Sequence, residues 1–214
     1  MHDLKTTHII IIGMGEPADN HEAVTKAVNL LVDRNLFQLS ANKITVSTIA
    51  PTPESFSHFS DAPCVLAWSV HAVDDKLRKE LVPTTQYTMD ELKEGLVKVL
   101  ASRSLNLRAT MLEVVLIKGL NDGTKEALQL AKFTKDILKK VKLESGDDSD
   151  IKIMVNLIPF NDIGHPTFKK PSNDSVLKFQ NVLLTEKVFT HIRTTRGDEE
   201  SAACGQLATK KLKV

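Results

Sequence analysis

The sequence predicts an α/β protein with a parallel β-sheet, either an open doubly wound sheet or part of a TIM-like (β/α) barrel. Short apolar runs alternate with amphipathic stretches along the 214 residues, and the first run holds the consecutive isoleucines Ile9 to Ile12. Such a run is typical of a strand buried on both faces of a parallel sheet. Repeated strand–helix units build sheets of this kind. Neither an internal repeat nor a domain boundary interrupts residues 1–214, so one domain is expected.

Six strands are predicted, each a short apolar run that gives way to polar or turn-forming residues. The fourth is followed by Asn121-Asp122-Gly123, a strong turn signal. The first is the isoleucine run, and the others are predicted over residues 43–50, 64–72, 108–117, 151–159 and 189–195.

Capping signals place helices between these strands. The signals are Asp19 with Glu22, Thr52 with Pro53, and Thr88 with Glu91. The first and last have the spacing of capping boxes, and Thr52 precedes a proline that favours a helix start. A long helix is predicted over residues 125–141, and a last helix begins at residues 172–174. The polar residues 143–150 are predicted to form an exposed insertion.

Charge and cysteine content bound the possible functions. A hydrophobic fraction of 42% with 26% charged residues indicates a globular protein, and the net charge of +1 gives no indication of nucleic-acid binding by itself. The two cysteines, Cys64 and Cys204, form no CxxC pair, zinc pattern or disulfide framework. This suits a cytoplasmic protein, with an organelle as the alternative. No apolar run is long enough to span a membrane, so no membrane partner is expected.

In either architecture, ligands bind at the carboxyl ends of the parallel strands. The residues expected there are polar and glycine-bearing, which suits a polar small ligand. They are Gly13-Met14-Gly15-Glu16-Pro17, Val46-Ser47-Thr48, Ser69-Val70-His71, the Glu113 region, residues 156–161 and residues 193–196. The glycine-bearing segment is neither a dinucleotide fingerprint nor a phosphate loop. Taken singly, a serine or histidine at a strand end is more often structural than ligand-binding.

Taken together, these motifs resemble one enzyme family. Gly-Met-Gly-Glu-Pro, Thr-Val-Ser-Thr, Ser-x-His-Ala, Asn-Leu-Ile-Pro-Phe-Asn, Thr-Arg-Gly-Asp and Ala-Cys-Gly-Gln-Leu occur in that order within residues 8–207. The series resembles the radical S-adenosylmethionine (SAM) enzymes that methylate C2 of adenine in 23S rRNA and tRNA, to which an antibiotic-resistance C8 methyltransferase is related. The Ile-Pro-Phe-Asn and Ala-Cys-Gly-Gln-Leu segments are specific to that family, whereas Gly-Glu-Pro is shared more widely among radical SAM enzymes.

The resemblance implies a fold and a set of site residues. The fold is a partial (β/α)6 radical SAM barrel that lacks its first strand and cluster loop, which makes residues 1–214 a core domain incomplete at the N-terminus. Gly15 and Glu16 would hold the amino group of SAM, and Cys204 would be the cysteine that carries the methyl group. The residues implied to line the rest of the SAM site are Ser47, Ser69, Val70, His71 and Asn161.

The resemblance also implies cofactors and partners. Adenine C2 is not nucleophilic, so the family uses SAM together with a 4Fe-4S cluster and an electron donor to generate a radical that activates the methyl group on the cysteine. The partner is RNA, of the 23S rRNA type or tRNA, and the target base must be unpaired or flipped to enter the barrel mouth.

The chain departs from the family pattern in its cysteines. A cluster that leaves one iron for SAM needs three thiolates from a CxxxCxxC loop, and the two cysteines here stand in no such motif. Three interpretations stay open. The chain is a piece of a complete methyltransferase and inactive alone, or a degenerate SAM- or RNA-binding module without radical chemistry, or another α/β enzyme such as an aldolase-like barrel. For the last, Lys118 is the only candidate lysine.

Overall fold

Six parallel strands form one sheet in which the strands follow each other in chain order. The computed structural model describes residues 8–12, 15–148, 151–161 and 166–193. The strands are β1 (Ile9–Ile11), β2 (Ile44–Thr48), β3 (Val65–Ser69), β4 (Thr110–Leu116), β5 (Ile153–Pro159) and β6 (Thr190–Ile192). Every neighbouring pair is parallel. A doubly wound sheet reverses its strand order at a switch point. The continuous order therefore corresponds to the winding of a (β/α) barrel.

Helices connect most of these strands. They are α1 (His21–Val32), α2 (Asp75–Leu81), α3 (Met89–Ser102), α4 (Thr124–Ser145) and α5 (Asn173–Thr185). Between β2 and β3 the connection contains only the 3-10 turns Pro53–Ser55 and Ser57–Phe59. None of the helices in the described part of the chain is both long and apolar enough to cross a membrane.

The two faces of the sheet differ in chemistry because successive side chains of a strand point to opposite faces. On the helix side, Trp68 of β3 is fully buried, with its ring centroid 5.4 Å from Phe56 and 5.8 Å from Phe133 of α4. The opposite, inner face carries the polar side chains of Ser47 and Glu113, which contact each other. The main core therefore lies between sheet and helices, and the inner face is left for polar groups.

Two of the three predicted capping signals are present. Thr88 Oγ1 accepts from the Glu91 amide at 3.2 Å, and Glu91 Oε2 accepts from the Thr88 amide at 2.8 Å, which is the reciprocal pattern of a capping box. Thr52 also caps the residues after it, but they form only the 3-10 turn Pro53–Ser55. The prediction at Thr52 is thus right about the cap and wrong about a longer helix.

The predicted capping box at Asp19 and Glu22 is wrong. Asp19 lies inside a 3-10 turn, Pro17–Asn20, and α1 begins only at His21, without a side-chain capping bond from Asn20. The carboxylate of Glu16 caps that turn instead, accepting from the Ala18 amide at 2.9 Å. The spacing misled because a single 3-10 turn shifts the helix start past the predicted cap.

The predicted insertion at residues 143–150 is partly wrong. Helix α4 runs four residues beyond the predicted end and stops at Gly146, whose φ of 63° is the left-handed conformation typical of a helix C-terminus. Leu143 is exposed, as predicted, at 71% of its surface. Residues 143–145 therefore form the last turn of this helix, and residues 149 and 150 of the predicted insertion lie outside the described residues.

Gly95 marks a close approach between α3 and the Pro53–Ser55 turn. A Cβ atom at Gly95 would lie 2.5 Å from the carbonyl oxygen of Pro53 and 2.9 Å from its Cα. An alanine in a helix interior is normally about 0.5–1 kcal/mol better than glycine. Here the backbone clash outweighs that gain, so we expect Gly95→Ala to lower the free energy of unfolding in urea by about 1–3 kcal/mol.

The control for this prediction is Lys98→Ala, an exposed position in the same helix, where we expect a change within about 0.5 kcal/mol. An unfolding free energy that rises in Gly95→Ala would contradict the prediction, because α3 would then be free to move away from the turn.

Candidate functional site

The carboxyl ends of β1, β2 and β3 bring three of the predicted segments together. Glu16 follows β1, Ser47 lies near the end of β2, and Ser69 is the last residue of β3. Ile11 pairs with Val46, and Ser47 pairs with Ala67, so these strand ends are aligned.

The carboxylate of Glu16 ties the loop after β1 to the end of β2. Its Oε1 accepts from Thr48 Oγ1 at 2.5 Å and from the Ala18 amide at 2.9 Å, and its Oε2 accepts from the Ile49 amide at 2.9 Å. A carboxylate has about four acceptor sites. Glu16 therefore uses most of its capacity to shape the loop and keeps about one site for a ligand donor.

A buried polar cluster occupies the inner face of the sheet. Ser47 Oγ donates to Glu113 Oε2 at 2.8 Å, and Asn156 Nδ2 donates to Glu113 Oε1 at 3.4 Å. The register places Ser69, Glu113 and Asn156 side by side on β3, β4 and β5. Ser47, Glu113 and Asn156 are exposed at only 4%, 3% and 8% of their surfaces. The sequence pointed to each of these positions but not to the bonds that join them.

His71 adopts a strained backbone conformation directly after β3. Its φ is 56°, in the left-handed region that non-glycine residues seldom adopt. The backbone around it is bonded on both sides, because Glu113 O accepts from the Val70 amide at 2.8 Å and Asn121 Nδ2 donates to His71 O at 2.8 Å. Strain that is held in this way is typical of functional segments.

The imidazole of His71 is a neutral hydrogen-bond acceptor. Its Nδ1 accepts from the Val115 amide at 3.2 Å. Burial, and secondly the positive charge of Arg78, lower the pKa of His71 from 6.5 to about 3. The side chain thus faces the backbone of β4 and fixes the conformation of the Ser69-Val70-His71 segment.

Arg78 of α2 is a buried residue that the sequence analysis missed. Its guanidinium donates to Ser69 O at 2.5 Å, to Val70 O at 2.6 Å and to Ile49 O at 2.6 Å, with 1% of the residue exposed. Burial lowers the pKa of Arg78 to about 10, which leaves it a cation at neutral pH. Arg78 therefore holds the ends of β2 and β3 together behind the candidate site.

The other predicted site residues lie at the same edge or outside the described residues. Asn161 follows the end of β5 by two residues and is half-buried, and Gly15 leaves open space around its backbone. Cys204 lies outside the described residues, and so do Gly13 and Met14.

Similar proteins of known family indicate which family has this arrangement of residues. No protein-family model matches the chain. The dual-specificity RNA methyltransferase RlmN of Ruthia magnifica subsp. Calyptogena magnifica is 37% identical over 209 residues, which are 97% of this chain and 54% of that protein. RlmN of Francisella tularensis strain SCHU S4 is 36% identical over 208 residues, covering 97% of this chain and 52% of that protein. The chain belongs to the dual-specificity RNA methyltransferase family. It spans about half the length of the curated relatives that it matches.

Solved structures that resemble this chain support the same family assignment. A radical SAM methyltransferase from Sphaerobacter thermophilus has a TM-score of 0.78 and 32% identity, with coverage of 94% of this chain and 54% of that chain. A domain of pyruvate-formate lyase-activating enzyme from Bacteroides vulgatus has a TM-score of 0.61 at 15% identity, covering 87% of this chain and 99% of that domain. The latter shares the fold alone. The family predicted from the motifs is confirmed, and so is an α/β fold of the radical SAM methyltransferase type.

The family implies SAM and a 4Fe-4S cluster, and the residues of this chain fit only the first. Cys64 is fully buried, and burial raises the pKa of its thiol. Within the described ranges, no group of three or more His, Cys, Asp or Glu side chains could hold a metal ion. With two cysteines in the whole chain, three thiolates for a cluster are not available from its own residues.

The inner face fits a ligand that donates hydrogen bonds. Asn156 Oδ1 is buried and has no hydrogen-bond partner, which is unusual for a polar atom in a folded protein. Glu16 and Ser47 add further acceptor capacity nearby. SAM has an ammonium group and ribose hydroxyls, which are donors of the required kind.

Proposed function

We propose that this chain is the SAM-binding core domain of a radical SAM methyltransferase acting on C2 of an adenine in rRNA, with tRNA as a second substrate and Cys204 as the methyl carrier. The observation that carries the proposal is the convergence of Glu16, Ser47 and the Ser69-Val70-His71 segment at one edge of a parallel sheet. The similarity to the RlmN proteins supports the same function.

The proposed roles of the residues follow from their bonds. Glu16 shapes the loop after β1, so that its backbone and the open Gly15 approach the amino-acid part of SAM. Ser47 and Asn161 line the same edge, and the bonded His71 backbone fixes the segment that follows β3. Bound SAM supplies the methyl group. The two cysteines of this chain are fewer than the three thiolates that a 4Fe-4S cluster of this kind requires.

A second candidate function is a SAM- or RNA-binding module without radical chemistry. The cysteine count favours it, since two thiols are fewer than a cluster requires. Because neither candidate lets this chain alone hold a cluster, both predict SAM binding without methylation of a 23S rRNA fragment, and the native transcript separates them. Upstream coding sequence for a CxxxCxxC loop would favour the first candidate, and a native transcript whose coding sequence begins at Met1 would favour this one.

The first test is isothermal titration calorimetry of SAM with the 214-residue chain. We expect binding, and we expect Glu16→Ala to weaken it by about tenfold or more, because three charge-assisted bonds that shape the loop are lost. Glu22→Ala, at an exposed carboxylate of neighbouring α1, is the matched control and should leave the affinity unchanged.

Two results would count against the SAM site. Wild-type protein that binds no SAM would contradict it directly. Equal weakening in Glu16→Ala and Glu22→Ala would show that the loss does not arise from the loop after β1.

A further inference from the structure

Glu113 is a buried carboxylate for which the described residues provide no cation. It lies in the middle of β4 with 3% of its surface exposed. The ion pairs in the described part of the chain all involve other carboxylates. Its two side-chain partners, Ser47 and Asn156, are neutral. Buried charges in proteins are normally paired or bound to a cation, so this site lacks a positive group.

The bonds to Glu113 also fix the hydrogen-bond polarity of its neighbours. Ser47 has one hydroxyl hydrogen, and it is donated to Glu113, so its oxygen can only accept from a ligand. Asn156 turns its amide nitrogen towards Glu113, because the opposite orientation would place its oxygen against the carboxylate. Asn156 Oδ1 is therefore directed away from Glu113, buried and unpartnered.

This acceptor cluster of Ser47, Glu113 and Asn156 is adjacent to the candidate SAM site. Ser47 belongs to both. Glu113 pairs in register with Ser69, the first residue of the segment after β3, and neighbouring strands are about 4.8 Å apart. A cationic ligand group bound within a few Å of the carboxylate in this poorly hydrated site would be attracted to it substantially.

We propose that Glu113, with Ser47 and Asn156, is a ligand-positioning element that favours the cationic ligand SAM over its uncharged-sulfur product S-adenosylhomocysteine. The inference rests on the proposed SAM site. Both molecules carry the same ammonium group and ribose hydroxyls, and only SAM carries the positive sulfonium. The negative charge of Glu113 therefore distinguishes substrate from product and aids release of the product after methyl transfer.

The deciding variant is Glu113→Gln, which keeps the shape of the side chain and removes the charge. We expect its affinity for SAM, measured by calorimetry on the 214-residue chain, to fall about tenfold, while its affinity for S-adenosylhomocysteine changes less than about twofold. The melting temperature without ligand should stay the same or rise, because an unpaired buried charge is removed. A purely structural role would instead lower the melting temperature.

Two further variants give matched controls. Ser47→Ala keeps the charge of Glu113, so it should weaken both ligands by a similar factor and preserve the ratio of the two affinities. Glu144→Gln removes an exposed carboxylate at the end of α4 and should change neither affinity.

The outcomes separate this inference from the proposed function. If the wild-type chain binds SAM and Glu113→Gln has the wild-type ratio of SAM to S-adenosylhomocysteine affinity, the inference is overturned and the SAM site stands. A lower melting temperature in Glu113→Gln with equal loss of both ligands would also overturn it. If the wild-type chain binds no SAM, both fail.

Discussion

Lowering the pH from 7 to 4 is expected to reduce the free energy of unfolding by about 3 kcal/mol through His71 alone. Burial, with a smaller contribution from Arg78, lowers the pKa of His71 from 6.5 to about 3 in the folded protein. Between these values the unfolded chain binds a proton that the folded chain does not. The stabilisation is therefore complete above about pH 6.5 and is lost progressively as the pH falls towards 3.

The bond of His71 gives the structural reason for this loss. Its Nδ1 accepts from the Val115 amide. Protonation would turn Nδ1 into a hydrogen-bond donor that faces the N–H group of Val115, which is also a donor, so the bond would be lost. Urea unfolding at pH 7, 5.5 and 4 measures the effect. His71→Asn is the informative variant, since asparagine tolerates the left-handed φ of 56° and provides a non-titrating acceptor.

We expect His71→Asn to lose about 3 kcal/mol less than the wild type between pH 7 and pH 4, because other groups titrate equally in both proteins. His191→Asn, at an exposed histidine of β6, should keep the wild-type profile. The same profile in wild type and His71→Asn would show that His71 does not titrate with folding. The neutral imidazole also means that His71 serves the candidate site by holding a loop and carries no charge there at neutral pH.

The features that the sequence predicted well are those with local causes. The capping box of Thr88 and Glu91 depends on residues three apart, and it forms as expected. The isoleucine run does form the first strand, but the prediction that this strand is buried on both faces is wrong, because Ile10 is 44% exposed in the described part of the chain. The positions of Ser47 and Ser69 at strand ends also follow from where an apolar run stops, and the structure places both at the predicted edge of the sheet.

The features that the sequence missed depend on contacts between distant residues. Arg78 bonds Ile49, which lies 29 positions away, and a single arginine in a short polar helix is usually exposed. Glu113 and Ser47 are 66 positions apart, so no spacing rule links them. Strand spacing alone left the winding of the sheet undecided, because it is the same in open sheets and barrels, and the barrel was predicted from the resemblance to radical SAM enzymes. Only the pairing of neighbouring strands distinguishes the two.

Arg78→Met is expected to lower the free energy of unfolding by about 3–5 kcal/mol, the range for breaking a buried charged network. Methionine has a similar length but no donors, and it leaves the carbonyls of Ile49, Ser69 and Val70 without the guanidinium. Arg78→Lys keeps the charge, yet one ammonium group cannot reproduce the planar fork that bonds two strand ends. Arg78→Lys should therefore lower the free energy of unfolding, but by less than Arg78→Met does. Urea unfolding at pH 7 measures both.

Lys79→Met, at the exposed next position of α2, is the matched control and should change stability by less than about 0.5 kcal/mol. A loss below about 1 kcal/mol in Arg78→Met would mean that water reaches the three carbonyls and satisfies them, contrary to the observed burial.

Arg78→Met also tests how much Arg78 contributes to the pH dependence of stability through His71. Removing the positive charge of Arg78 should raise the pKa of His71, but burial is the larger cause, so Arg78→Met should keep most of the acid sensitivity. Loss of stability with a nearly unchanged pH dependence would separate the structural role of Arg78 from its electrostatic one.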